Sequence, residues 1–476
     1  MQSDSCGATN RARTAAELAA EIERQINVGT LAPGDRLDPV RTAADALGLA
    51  PNTVAAAYRQ LGERGLVTGE GRRGTFVSNR GPVEEPVVPP VADGLTNLAD
   101  GNPDLALLPD LEQAVSAIAT NHVRYGESPI DARLAQAFAT NLAPDLPGAG
   151  AGAEIEAGRD LAVVSGALDG IERVLATRLR PGDRVAVEDP GYAAVFALVK
   201  VLGFRPVPVP VDPQGLEPQG LAGALADGVQ AVIVTPRAQN PTGAAIGADR
   251  AAVLSELLAA HPDVLIIEDD HAGPVAGAPY HGVIGPQAER WAVIRSVAKS
   301  LGPDLRVAAL AGDSTTVARV ARRQLVGAGW VSHLLQRTVA ELLNPSGPGL
   351  SAEERFARAA AAYRQRRNRL LAGLAEHQIE ATGPSGLNVW VPVSDEAAVV
   401  TGLQDHGFAV RPGARFRLNS PPAIRISVGS ASLDELDGVA AALGAVLGRG
   451  RGVRGDGGRG DGGWGDGSWG DSGRAV

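Results

Sequence analysis

Within residues 11–80, apolar positions recur at helical spacing in three short runs. Ala15 to Val28 is amphipathic and stops at Gly29, and the segment LAPGDRL then turns the chain. Pro39 to Leu47 predicts a second helix, closed by the tight turn Gly48-Leu49, and Pro51 to Arg64 a third, with Ala50 or Asn52 near its cap. The period then changes. GLVTGEGRRGTFV predicts two short strands around a Gly-Arg-Arg-Gly tip. From about Leu95 to Leu447, short apolar runs alternate with helical stretches, the pattern of a mostly parallel α/β sheet covered on both faces.

Two segments fit neither pattern. Residues 81–93 (GPVEEPVVPPVAD) are Pro-rich and acidic and are expected to form a semi-stiff linker between an amino-terminal domain at 11–80 and a large domain at 94–447. Residues 448–476 repeat Gly-Asp-Gly units with too little apolar surface to order themselves, and from Arg449 onward four aspartates nearly offset five arginines.

The chain is 44% hydrophobic and carries a net charge of −10, which argues against a protein that coats nucleic acid throughout but leaves room for a small DNA-reading domain. No apolar run approaches the roughly 20 residues needed to span a bilayer. The start is polar and Cys6 is the only cysteine, so neither a signal peptide nor a disulfide framework is expected. The expectation is a soluble cytoplasmic protein that makes no use of a membrane. Composition also singles out one side chain, because only two of the 44 basic residues, Lys200 and Lys299, are lysine. Arginine stays protonated, whereas a lysine amine can lose its proton and attack a carbonyl. Lys200 falls near the end of a predicted helix, Ala193 to Leu202, and reads as a surface charge. Lys299 follows the apolar run WAVIRSV, at the exit of a predicted buried strand that Ser300, Gly302 and Pro303 break.

Other polar groups share that setting, just beyond apolar runs, where open α/β sheets place ligand sites. The strand Leu161 to Val164 runs through Ser165-Gly166-Ala167 into a helix, whose free amides can hold a phosphate or merely make a tight turn. Tyr192 follows a strand and a Pro-Gly turn, and is either a ring laid on a flat ligand or a packed tyrosine. Asn240, in Asn-Pro-Thr-Gly, heads a turn that aims an amide inward. Asp269 and Asp270 leave a buried strand, where a carboxylate can serve a metal, a base or a pyridinium nitrogen. The single His271 is too little to favour a metal, and no metal site is expected. Ser296 and Arg306 flank Lys299, a hydroxyl and a fixed cation suited to a phosphate.

These motifs carry two resemblances. Residues 15–77 resemble the winged helix-turn-helix of the GntR family of bacterial regulators, through the Gly29-to-Leu37 turn and the Arg72-to-Val77 ending. The family usually has Pro-Ser-x-Arg before its second helix; here Asp38-Pro39-Val40-Arg41 keeps the arginine and loses the serine. The resemblance implies binding to double-stranded DNA, with Arg41 and Arg73 on phosphates and Asn52, Thr53 and Arg59 approaching bases or backbone. Ten arginines against eight acids between Arg11 and Arg80 make a weak field, which argues for a homodimer pooling two half-sites.

The region from Leu95 to about Leu447 is similar to the fold-type I aminotransferases of class I/II, which implies pyridoxal 5'-phosphate as cofactor. By that resemblance Lys299 forms the Schiff base, Asp269 pairs with the ring nitrogen, Asn240 bonds the ring hydroxyl and Tyr192 stacks on the ring. Ser165, Gly166, Ala167, Ser296 and Arg306 hold the phosphate, Tyr125 reaches the phosphate of a partner subunit, and Arg425 binds a substrate carboxylate. Relatives commonly have tyrosine where His271 stands; histidine can donate a similar bond but adds a titration of its own. The glycine usual after the Tyr125 motif is also missing. The two parts together resemble the MocR subfamily of GntR-type regulators. That implies a regulator of transcription that senses an amine, an amino acid or the cofactor itself through Lys299, in a head-to-tail dimer. The other reading is a working aminotransferase carrying an accessory winged helix.

Overall fold

The computed structural model describes residues 14–27, 30–32, 34–63, 66–69, 74–77, 91–147 and 155–452. Arg73, the expected linker up to residue 90 and the tail from residue 453 lie outside the described residues. The amino-terminal helices α1 (Ala15–Asn27), α2 (Val40–Leu47) and α3 (Pro51–Glu63) share a small core around Leu18, Ala44, Val54, Ala57 and Leu61. Gly48 ends α2 in the left-handed region at φ 69°, which a side chain would resist, and lets the chain double back into α3. β1 (Val67–Gly69) and β2 (Thr75–Val77) then pair antiparallel as a wing, and Arg36 bridges to Phe76. Because α3 buries Val54, Ala57 and Leu61, it leaves Asn52 and Arg59 exposed seven residues apart, on nearly the same face. Arg41 is exposed on α2, whereas Thr53 is half-buried and donates its N–H to the Ala50 carbonyl at 2.9 Å.

The larger part is built on one eight-stranded sheet. After the short β3 (Thr96–Asn97), its strands are β4 (Leu161–Val164), β5 (Arg184–Asp189), β6 (Arg205–Asp212), β7 (Gly215–Leu216), β8 (Ala231–Val234), β9 (Leu265–Asp270), β10 (Trp291–Ser296) and β11 (Ala308–Gly312). Their order is β4-β11-β10-β9-β8-β5-β6-β7, and the central neighbours β10, β9, β8, β5 and β6 run parallel, while β11 and β7 run against their neighbours. Both faces are covered, as strand composition implies. Leu161 and Val163 of β4 enter one apolar core and Ala162 and Val164 the other, and Ile266 and Ile267 of β9 divide in the same way. A third core lies over the smaller sheet of β12 (Asn388–Pro392), β14 (Arg411–Pro412) and β15 (Ala423–Ser427). There β13 (Phe408–Ala409) pairs with β3, so the start of the large part is stitched into its end. The closing helix, Leu433–Gly452, runs past Leu447, where an unstructured tail was expected to begin. Its apolar stripe of Leu436, Val439, Ala440 and Leu443 anchors it on the third core. Among the described residues no helix is long and apolar enough to cross a membrane.

One polar knot is buried under the strand ends. Asp270 is fully buried and accepts from Arg237 Nε and Nη2, both at 2.9 Å, and from Arg295 Nε at 2.6 Å. Arg295 stands opposite Asp270 in the β9–β10 register, so strand pairing itself brings the charges together. Arg295 also reaches Asp145 at 2.6 Å, and both guanidinium groups lie over the Tyr280 ring, at 5.5 Å for Arg237 and 5.1 Å for Arg295. Burial pushes the Asp270 carboxyl up, but Arg295 and Arg237 outweigh it and hold its pKa at about 2. Replacing Asp270 by asparagine leaves two buried cations short of an anion and should cost about 3–5 kcal/mol in denaturant unfolding. Asp269→Asn, one residue away, should cost far less or stabilise, because Asp269 Oδ1 has no partner to lose.

Candidate functional site

The carboxyl ends of β5, β8, β9 and β10 open on a cavity of about 260 Å3. Tyr192, Asn240, Asp269, His271, Ser296, Lys299, Arg306 and Arg425 all line it, as does Ala167. Each arrives by a local rule. β9 ends in consecutive carboxylates, and strand alternation sends Asp270 into the arginine knot and Asp269 to the cavity side. β10 stops at Ser296, and the turn that follows carries Lys299 over the strand end. Lys200, by contrast, is exposed on the helix Ala193–Val201.

Lys299 Nζ donates to the Gly101 carbonyl at 2.8 Å. Burial, and then the nearby Arg425 charge, lower its pKa to about 8. Asp269 is in the opposite position: burial, with the Asp270 and Glu188 carboxylates behind it, raises its pKa to about 8, and its Oδ1 is a buried acceptor with no donor. Arg425 is 5% exposed, packs over the Phe416 ring at 4.8 Å, and donates to Asn240 Oδ1 at 3.1 Å and to the Ala99 carbonyl. That contact occupies the Asn240 oxygen and leaves its NH2 as a donor. Burial and the neighbouring Arg411 lower the Arg425 pKa to about 10, and its Nε has no partner.

The structure adds detail to three of these expectations. Of the phosphate-type turn, the Ser165 N–H is already taken by Asp169 at 2.8 Å, and the Gly166 N–H bonds the Val164 carbonyl at 2.9 Å. Ala167 and Leu168, at the start of the helix Ala167–Arg178, are the residues of this turn that line the cavity. Gly166 contributes differently: at φ 95°, a Cβ there would sit 2.5 Å from Arg306 Nη2, so the missing side chain is what lets Arg306 lie across the turn and bond Ser165 O at 3.0 Å. His271, which stands where relatives commonly have tyrosine, already has a partner for its ring N–H. Its Nε2 lies 2.9 Å from the Ala238 carbonyl and must donate there, leaving Nδ1 an acceptor. Burial and the Lys299 charge lower its pKa to about 4, so its own titration lies well below neutrality. Tyr125, expected at the phosphate of a partner subunit, is 93% exposed, meets Trp330 edge-on at 5.5 Å and stands outside its own chain's cavity.

Sequence reasoning missed Leu168, Phe416, Arg411 and Arg415, which also line the cavity. Leu168 was one residue beyond the turn that drew attention. The other three come from the smaller sheet and its adjoining turn, and no local pattern announces that this segment folds back over the strand ends of the larger one.

A half-buried amine, an orphaned buried carboxylate and fixed cations at the strand ends of a two-faced sheet define an aminotransferase-type body, here with a winged helix ahead of it. Residues 93–443 match aminotransferase class I and II, and residues 14–77 match the bacterial regulatory proteins of the gntR family. The vitamin B6 salvage pathway transcriptional repressor PtsJ of Salmonella typhimurium is 38% identical over 92% of this chain and 99% of its own length. The HTH-type transcriptional regulator TauR of Rhodobacter capsulatus is 27% identical over 88% of this chain and 94% of its own. Among solved structures, a kynurenine aminotransferase of Pyrococcus horikoshii shares the fold with a TM-score of 0.66 at 20% identity, covering 75% of this chain and 92% of that one. The chain belongs to the MocR-type transcription regulators of the GntR family.

The lowered Lys299 pKa sets a pH dependence. Only the neutral amine is nucleophilic, so labelling of Lys299 by an amine-reactive reagent, read by mass spectrometry, should rise with pH, reach half its maximum near pH 8 and level off above.

Proposed function

We propose that the cavity holds pyridoxal 5'-phosphate and that the chain uses it to sense an amine, an amino acid or the cofactor itself, and to pass that state to a DNA-reading winged helix. The observation that carries this is the pairing, in one cavity, of a Lys299 amine with a lowered pKa and an Asp269 oxygen with no donor. Those groups fit the cofactor: Asp269 lacks a cationic N–H, Lys299 is a nucleophile at accessible pH, and the slot at Gly166 exposes a guanidinium. Bound there, the group supplies an aldehyde that an amine can take up and a ring nitrogen that can carry a proton. Lys299 would hold the aldehyde carbon, and Asp269 would accept from the ring nitrogen. Asn240 would donate its NH2 to the ring hydroxyl, and Tyr192 would cover the ring. Ala167, Leu168, Ser296 and Arg306 would take the phosphate, with Gly166 leaving the room and Ser165 contributing its carbonyl to fix Arg306. Arg425 would bind the effector's carboxylate.

In the amino-terminal domain, the exposure of Arg41, Asn52 and Arg59 supports their placement against DNA, with Thr53 in a lesser part, while the role of Arg73 rests on the family resemblance alone. A homodimer accounts for the exposure of Tyr125, and of Leu105 at 80%, since both are left uncovered on a single chain. A working aminotransferase is the weaker reading. PtsJ and TauR, each matched over more than nine-tenths of its own length, are named as regulators, and the N–H of neutral His271 is spent on Ala238.

Adding pyridoxal 5'-phosphate to the purified protein should produce a visible absorbance band that Lys299→Ala abolishes; no band in the parent protein would sink the cofactor reading. With amino acid and keto acid supplied together, turnover should not pass a single equivalent per site, and rapid multiple turnover would favour the enzyme. A mobility shift on the DNA upstream of its own gene should weaken about tenfold in Arg41→Ala at moderate salt, as loss of one phosphate contact implies.

A further inference from the structure

Glu188, near the end of β5, does not line the main cavity, yet it is a carboxylate only 7% exposed. Its Oε1 accepts from the Thr235 N–H at 2.8 Å, and its Oε2 from the Thr235 hydroxyl at 2.8 Å and the Gln239 amide at 3.1 Å. None of these donors is charged. Gln239 is itself pinned, donating to Pro190 O at 2.8 Å and accepting from the Thr242 hydroxyl at 2.6 Å, so the arrangement is rigid. A second cavity of about 20 Å3 shares Tyr192, Asn240, Asp269 and His271 with the main one and is lined by Glu188 as well. That is room for one water, which needs roughly 10–15 Å3 and two or more polar partners. Asp269, which lines both cavities, has in Oδ1 a buried oxygen with no donor.

The other charges around Asp269 are accounted for. Asp270 is neutralised by Arg237 and Arg295, His271 is neutral, and the Tyr192 phenol adds no charge. Lys299, Arg306 and Arg425 line the main cavity. Two carboxyl groups on one small buried cavity do not both ionise cheaply.

We infer that Glu188 is a positioning residue for Asp269: the two carboxyls retain one proton between them across a single bridging water, and so present one negative charge to whatever cation reaches Asp269. This rests on Asp269 being the partner of the ring nitrogen. Burial raises both groups, but Glu188 accepts three hydrogen bonds that favour its anion whereas Asp269 Oδ1 accepts none, so the proton resides mainly on Asp269.

The test is infrared difference spectroscopy of the cofactor-free full chain from about pH 6 to pH 9, reading the C=O stretch of a protonated carboxyl. The parent protein should show a buried carboxyl that deprotonates near pH 8 and is missing in Asp269→Asn. Glu188→Gln should lower that midpoint by about one unit, a tenfold change in acid constant. Thr235→Val, which removes a donor from the Glu188 carboxylate and strengthens its hold on the shared proton, should instead move the midpoint up. Unshifted midpoints in both variants, at unchanged melting temperature, overturn the inference, and so does a parent protein with no titrating carboxyl. If Glu188→Gln fails to fold, Thr235→Val alone decides. Cofactor uptake is read separately by absorbance: shifted midpoints in a chain that takes up no cofactor would support the shared proton and overturn the cofactor reading instead.

Discussion

The site depends on the ionised Asp270 held between Arg237 and Arg295. Two cations and one anion, all buried, are tolerable only because each guanidinium finds further oxygens, Asp145 for Arg295 and the Ala278 carbonyl for Arg237. The knot ties the end of β8, through Arg237, to the ends of β9 and β10, so three of the strands that carry site residues cannot slide relative to one another. With Asp270 fixed on one side of β9, strand alternation leaves Asp269 no choice of face. The cavity can therefore keep a carboxyl without a partner, since a neighbour one residue away supplies the rigidity.

Much of this was legible in the chain. The three amino-terminal helices and the wing followed from period and turn chemistry, because each is short and local, and Gly48 closes the second helix. The strand-end positions of Asn240, Asp269 and Lys299 were legible for a similar reason: an apolar run fixes where a strand stops, and the next polar residue is delivered to its end. What could not be read depended on distant chain. That the His271 donor would be consumed by Ala238, 33 residues away, has no signature in either segment. Nor does the return of Arg411, Arg415 and Phe416 over the cavity, which requires the smaller sheet to be docked first. The helical continuation to Gly452 was hidden by a glycine- and arginine-rich composition, and packing of the earlier turns overrode that local preference.

The same groups bear on how a body of this kind can serve a regulator. An enzyme must let protons move quickly among its donors and acceptors at each cycle. Here His271 is locked in one tautomer, Asn240 is tethered to Arg425, and Arg306 is wedged over Gly166. Such an arrangement favours holding one state over passing through several. A holding site suits the family to which the chain belongs, in which occupancy has to be converted into a preference between conformations.

The scarcity of lysine then takes on a practical meaning. Carbonyl compounds condense with any neutral amine they meet, and an ordinary protein offers many. This chain offers two lysines, one of them on an open helix and the other at the floor of a cavity with its proton already loosened. Apart from Lys200 and the chain's α-amino group, it offers aldehydes no other amine, so a colour change or an adduct mass at Lys299 is read against few competing sites.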